Sequence, residues 1–225
     1  MSFSAEWDSI YKARHQHTAW PWSELVGYVR RYGPPSLAGA RVLELGCGSG
    51  ANIPFFLSAG ADYYAIEGSQ AALDVVLQRY PELVGRVVLG DFTVDIPLPG
   101  QFDLIVDRSS LTHNTTEAIE RTLRMLAQRL VPGGRLIGID WFSDRHSDRQ
   151  FGRAQDEHTL TDFSAGQFVN CGNVHFSDEA HLRALLADFR LLALEHKEVQ
   201  NRLSPEQKVF ASWHFAVEKP VVEQA

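Results

Sequence analysis

Residues 41–50 read RVLELGCGSG. An apolar run broken by one carboxylate, Glu44, leads directly into Gly46-Cys47-Gly48-Ser49-Gly50. Such a run is a buried strand feeding a glycine turn. The glycines let the backbone reverse tightly and let a ligand approach without meeting a Cβ. A helix to about Ala59 follows, with Gly60 placed to end it. The first amides of that helix have no partners inside it and face a polar or anionic group.

Working outward, strands and helices alternate. Tyr63–Glu67 is a second strand, and Ser69 caps a helix through about Tyr80. Arg86–Leu89 is a third strand, ending at Gly90-Asp91-Phe92, and Phe102–Asp107 a fourth. Ile119, Leu123, Leu126 and Leu130 recur at helical spacing until Pro132-Gly133-Gly134 stops them, and Arg135–Ile139 forms a fifth strand ending at Asp140. The alternation predicts a doubly wound α/β fold with a mostly parallel sheet, buried on both faces. After a helix over 178–189, two strands near 190–199 and 209–217 are joined too closely to be parallel. The sheet is therefore seven-stranded with an antiparallel last strand.

Two segments break the rhythm. Residues 1–36 read as an N-terminal helical cap on a domain spanning 37–225, with Ser23 capping a helix through Arg31 and Leu25, Val26 and Val29 on one face. Residues 143–176 read as a long loop on the substrate side, and connections of that length are often functional.

The 225 residues suffice for one α/β domain, and a 44% hydrophobic share supplies a core. A formal net charge of −7 disfavours nucleic acid, whose phosphates select basic surfaces. Two cysteines, Cys47 and Cys171, make no disulfide framework and fit a reducing, cytoplasmic setting. No stretch approaches the roughly 20 apolar residues of a membrane span, and no signal peptide is visible.

The set ELGCGSG, YYAIEGS, GDF, FDLIVD and LVPGGRL, running from residue 37 to about 140, resembles class I S-adenosylmethionine-dependent methyltransferases. The resemblance implies their Rossmann-like fold and S-adenosylmethionine as cofactor, with S-adenosylhomocysteine as product. It assigns the methionine part to Gly46, Gly48 and Gly50, the ribose to Glu67, and the adenine to Asp91 and Phe92. Glu44, Cys47, Asn52, Gly68, Asp107 and Arg108 complete the expected cofactor set. A buried Glu44 needs a partner, which a cationic ligand or the loop amides would provide.

Methyl transfer leaves the protein to position an acceptor and remove its proton. His113 is the candidate base, with Asp107 and Asp140 at neighbouring strand ends. Catechol-type enzymes hold magnesium between two such carboxylates, but Trp141 stands where they have asparagine, and no metal is expected. Tyr11, Trp20 and Trp22, in an aromatic cluster with Trp7, are candidates for a cover over the cofactor. Trp141, His146 and His175 are candidates for the acceptor side, and Arg145, Arg149 and Arg153 could greet an acidic substrate. The expected acceptor is a small molecule methylated on a hydroxyl or carboxyl oxygen. Three other readings stay open. A metal-assisted O-methyltransferase would use Asp107 and Asp140. Gly46, Gly48 and Ala51 also satisfy a relaxed dinucleotide pattern, which would make the chain an NAD(P)-dependent oxidoreductase, and a cofactor-binding protein without catalysis keeps the same residues.

Overall fold

The computed structural model describes residues 6–12 and 18–221. In chain order the elements are α1 (Glu6–Lys12), α2 (Ser23–Tyr32), β1 (Arg41–Leu45), α3 (Ile53–Ser58), β2 (Asp62–Glu67), α4 (Gln70–Arg79), β3 (Val87–Leu89), β4 (Phe102–Arg108), α5 (Thr116–Arg129) and β5 (Leu130–Phe142). There follow β6 (Arg153–Ala154), β7 (Thr159–Thr161), β8 (Val174–His175), α6 (Glu179–Leu185), β9 (Arg190–Gln200) and β10 (Val209–Glu218).

Seven strands form one sheet in the order β3-β2-β1-β4-β5-β10-β9. The pairs β3/β2, β2/β1, β1/β4 and β4/β5 are parallel, while β10 runs antiparallel to both neighbours. The strand order reverses between β1 and β4. In an open sheet this is the switch point where crossovers leave opposite faces and open a crevice at the carboxyl ends.

Alternation along β1 divides the core between the two faces. Leu43 and Leu45 join Ile105, Leu136 and Phe215 with Ile119, Leu123 and Leu126 of α5 and Leu182 of α6. Val42 joins Ala65, Leu104 and Ile137 with Leu25 and Val29 of α2, Phe56 of α3 and Val76 of α4. Thus α2 is part of the sheet's own core, whereas residues 1–5 and 13–17 of the expected cap lie outside the described residues.

Ser69 accepts a hydrogen bond from Ala72 N and caps α4 as expected. Ser23 does not cap α2. The residue before the helix is Trp22, whose N–H is taken by Asn52 Oδ1 at 3.1 Å, while Ser23 Oγ turns to Glu24. Residues 143–176 are also not a plain loop. They carry the small antiparallel sheet β6-β7-β8 over a third apolar cluster of Phe142, Leu160, Phe163, Phe168, Val174 and Phe176. The aromatic residues spaced through that stretch supply the core that stabilises it.

Candidate active site

A cavity of about 350 Å³ opens at the carboxyl ends of β1 and β4. One wall is the glycine loop. Gly46, Gly48 and Gly50 have φ of 60°, 56° and 83°, a region L side chains rarely adopt. Space forbids a side chain as well: a Cβ at Gly46 would strike Ser110 Oγ, and one at Gly48 the Tyr11 hydroxyl. Gly46, Cys47, Gly48, Asn52, Gly68 and Phe92 line the cavity, as do Glu44, Glu67 and Arg108. Gly50 and Asp91 are not among the lining residues. Asp91 Oδ1 accepts from the N–H and hydroxyl of Thr93, at 2.9 and 2.6 Å.

The buried carboxylates differ in how they are answered. Glu67 ends β2 and accepts from Gly48 N at 2.7 Å and Ser69 N at 2.8 Å. Burial raises its pKa, and these amides oppose the rise. The Gly68 backbone opposes it as well. Glu44 is answered by side chains: the Tyr63 hydroxyl donates at 2.6 Å and Asn52 Nδ2 at 2.7 Å. Its pKa is pushed up to about 7 by burial, against those two donors. Asn52 thereby joins β1 to the start of α2, since its oxygen holds Trp22 N.

Asp107 and Asp140 do not make a metal pair. Asp107 is fully buried and outside the cavity lining. Its Oδ1 accepts from Ser110 N and Leu111 N, and its Oδ2 from Trp141 Nε1 at 2.7 Å. Burial pushes its pKa up to about 7, against these donors. It therefore holds the turn that leads to His113. Asp140 lines the cavity but is paired with Arg108 Nη2 at 2.8 Å and His214 Nε2 at 3.0 Å. Burial would raise its pKa, yet His214 and Arg108 outweigh burial and lower it. Among the described residues no three His, Cys, Asp or Glu side chains gather as a metal site. Asp140 and neighbouring Ser109, both non-glycine, have φ of 55° and 54°. Such strain persists only where the surroundings fix it.

His113 lines the cavity, and its Nδ1 lies 3.1 Å from Asn173 O. Burial pushes its pKa down to about 4, with the Asn173 and Cys171 carbonyls opposing, so the ring is neutral at pH 7. Trp7 meets it edge-on with centroids 4.7 Å apart. Trp7 and Tyr11 are carried over the glycine loop by α1, which Asp8 fastens to α4: Asp8 Oδ1 accepts from Ser69 Oγ at 2.9 Å and Ala71 N at 3.0 Å. Trp22 also lines the cavity, with the Arg108 guanidinium 3.5 Å from its ring centre.

The remaining candidates for the cover and the acceptor side lie outside the cavity lining. Trp20 is 84% exposed, and Trp141 is a core residue packed on Phe215. His146 and His175 are buried outside the cavity lining, His146 directly behind Phe142, Phe168 and Phe210, and burial holds both neutral at pKa values near 4 and 3. His146 Nδ1 accepts from Asp148 N, and His175 stands between Thr159 and His181. Arg145 pairs with Glu198 and Arg153 with Asp162, and neither lines the cavity, nor does Arg149. The wall is built instead by Phe142, Gln167, Phe168, Cys171 and Phe210. Sequence reading missed all five, although the aromatic spacing from Phe151 to Phe176 was a visible signal of a second core.

A family model described as "Methyltransferase domain" matches residues 14–218. The chain belongs to this family. Its members are class I enzymes that take the methyl group from S-adenosylmethionine, and the nicotinamide reading gives way. The methyltransferase is 35% identical over 97 residues to the magnesium-protoporphyrin O-methyltransferase of Rhodobacter capsulatus, covering 43% of each chain. It is 30% identical over 145 residues to the dTDP-4-amino-2,3,4,6-tetradeoxy-D-glucose N,N-dimethyltransferase of Saccharopolyspora spinosa, covering 63% of this chain and 56% of that one. The chain spans about half the length of these curated relatives. A methyltransferase structure from Methanosarcina mazei shares the fold at a TM-score of 0.68 and 16% identity, covering 90% of this chain and 99% of that one. An amino pentose methyltransferase from Micromonospora echinaspora, solved with S-adenosylmethionine bound, gives 0.58 and 18%, with 93% and 96% covered. No helix among the described residues is long and apolar enough to cross a membrane.

Proposed function

We propose that this methyltransferase transfers the methyl group of S-adenosylmethionine to a hydroxyl oxygen of a small organic acceptor. The observation that carries the reading is one cavity with two unlike walls: a glycine cradle edged by Glu67 and Phe92, and an aromatic wall holding neutral His113. The residues present fit the cofactor. The left-handed glycines give the loop a tight path along the cavity wall, and Glu67 at the end of β2 presents a carboxylate beside it for the ribose hydroxyls. Phe92 offers a ring face to the adenine. When bound, the cofactor supplies an activated methyl on a sulfonium. The protein aligns the acceptor, excludes water and receives the acceptor's proton, a task assigned to His113.

Thermal unfolding with saturating S-adenosylmethionine, S-adenosylhomocysteine or NAD tests the cofactor assignment. Ligand at about 100 times its Kd stabilises by about 2.7 kcal/mol, which raises Tm by roughly 5–10 °C in a domain of this size. The two adenosyl ligands give that rise and NAD none; the reverse result ends the proposal. For His113, the H113A variant loses about 10²-fold in kcat. Because burial keeps the ring unprotonated down to a pKa of about 4, kcat/KM stays flat from pH 8 to about 5.5 and falls only as pH drops through about 4. An acid limb that stays at the same pH in H113A removes His113 from the proton transfer.

A further inference from the structure

The aromatic wall is continuous. From Trp7 over His113, contacts run to Phe142 (5.9 Å between centroids), and from Phe142 to Phe168 (4.8 Å) and Phe210 (6.3 Å). Four aromatic side chains and a neutral imidazole thus face one volume. A second polar group stands among them. Gln167 is anchored by its backbone N–H, which donates to Asp148 Oδ2 at 2.8 Å, and its side-chain amide lies beside His146 Nε2.

Charge sharpens the reading. Four ionisable carboxylates and cations line the cavity: Glu44, Glu67, Arg108 and Asp140. Glu44 is satisfied by Tyr63 and Asn52, and Glu67 stands on the glycine-loop side. Arg108 and Asp140 neutralise each other at 2.8 Å. Arg108 keeps a buried Nε without a hydrogen-bond partner, but its charge is answered by Asp140. A carboxylate or phosphate entering beside Phe168 therefore meets no lining cation free of a carboxylate, and an ammonium group there meets no carboxylate on that side but Asp140. Either would surrender hydration without a charged partner, and ring faces return only part of that cost to a cation. A flat neutral ring loses nothing of the kind and stacks favourably.

We propose that the acceptor is an uncharged hydroxylated aromatic molecule, seated against Trp7, Phe142, Phe168 and Phe210 with Gln167 and His113 at its polar edge. The inference rests on the methyltransferase reading. In this seating the hydroxyl oxygen forms the new O–C bond to the methyl carbon. The C–S bond breaks with its electron pair left on sulfur, giving a neutral thioether, and the hydroxyl proton passes to His113.

The test is binding to the full chain loaded with S-adenosylhomocysteine, followed by calorimetry. The probes are 2-naphthol, 2-naphthoate, 2-naphthylmethylammonium and decahydro-2-naphthol, with p-cresol, p-toluate and p-methylbenzylammonium as a one-ring set. In at least one set the phenol binds tenfold or more tighter than its charged counterparts, 2-naphthol outcompetes its saturated analogue, and F168A loses tenfold in phenol affinity while keeping S-adenosylhomocysteine. With S-adenosylmethionine the phenol gains one methyl on oxygen by mass spectrometry. Charged probes that come within tenfold of the phenol in both sets, decahydro-2-naphthol binding as tightly as 2-naphthol, or no binding of either phenol by loaded wild-type protein, overturns the inference. Failure of S-adenosylhomocysteine itself to bind overturns the underlying reading instead.

Discussion

Replacing Glu67 with alanine lowers the affinity for S-adenosylhomocysteine by at least about 10²-fold. Two hydroxyl donors on one charged acceptor contribute about 1.5–3 kcal/mol each, and about 3 kcal/mol in total corresponds to that factor. The variant also strips Gly48 N and Ser69 N of their acceptor, so the cradle loses its shape along with its charge. Calorimetry on the folded variant measures the loss directly. E67Q separates the two effects: it keeps the side chain's size but offers one carbonyl oxygen in place of two carboxylate oxygens, and recovers affinity only in part. An E67A protein that binds as tightly as wild type refutes the ribose assignment.

The second large effect concerns Trp141, and it is one of stability. W141A opens a cavity beside Phe215 and leaves Asp107 Oδ2, fully buried, without its indole donor. Large-to-small substitution of a buried tryptophan costs about 3–5 kcal/mol, and the orphaned acceptor adds about 1–3 kcal/mol. Denaturant unfolding should register a loss of about 4 kcal/mol or more, and W141F, which keeps a ring but no donor, about 1–3 kcal/mol. A loss under 1 kcal/mol in W141A, with acceptor KM changed instead, would return Trp141 to the acceptor wall.

Much of this molecule was legible before any coordinates. The glycine loop, Glu67 at its strand end and the Ser69 cap depend on local chemistry, where a few adjacent residues decide the outcome. The mostly parallel sheet and its antiparallel last strand followed from the strand-helix alternation and the short final connection. What escaped is governed by contacts distant in sequence. Glu44 finds Tyr63, 19 residues away, and Asp107 finds Trp141, 34 residues away. The side of the strand on which Trp141 lies was readable in principle: successive residues of a strand point to opposite faces, so Asp140 and Trp141 could not both face the cavity. The acceptor wall was the hardest part. Phe142, Phe168 and Phe210 come from three separate stretches, and the chain between them had to be seen as a small sheet with its own core before their meeting made sense.

Over the described residues the helix α1 spans seven residues, Glu6–Lys12. Isolated helices below about 12–15 residues are marginal in water, so α1 exists as a helix because Asp8 is fastened to Ser69 and Ala71 while Trp7 and Tyr11 are seated. Undocking it is therefore melting it. Access to the donor and acceptor walls then becomes one local unfolding event, since the same two turns touch His113 and Gly48. Such events lie at the low end of a protein's opening free energies. Mild denaturant or warmth would release the donor well before the sheet gives way, and amide protons of α1 would exchange long before those of β1.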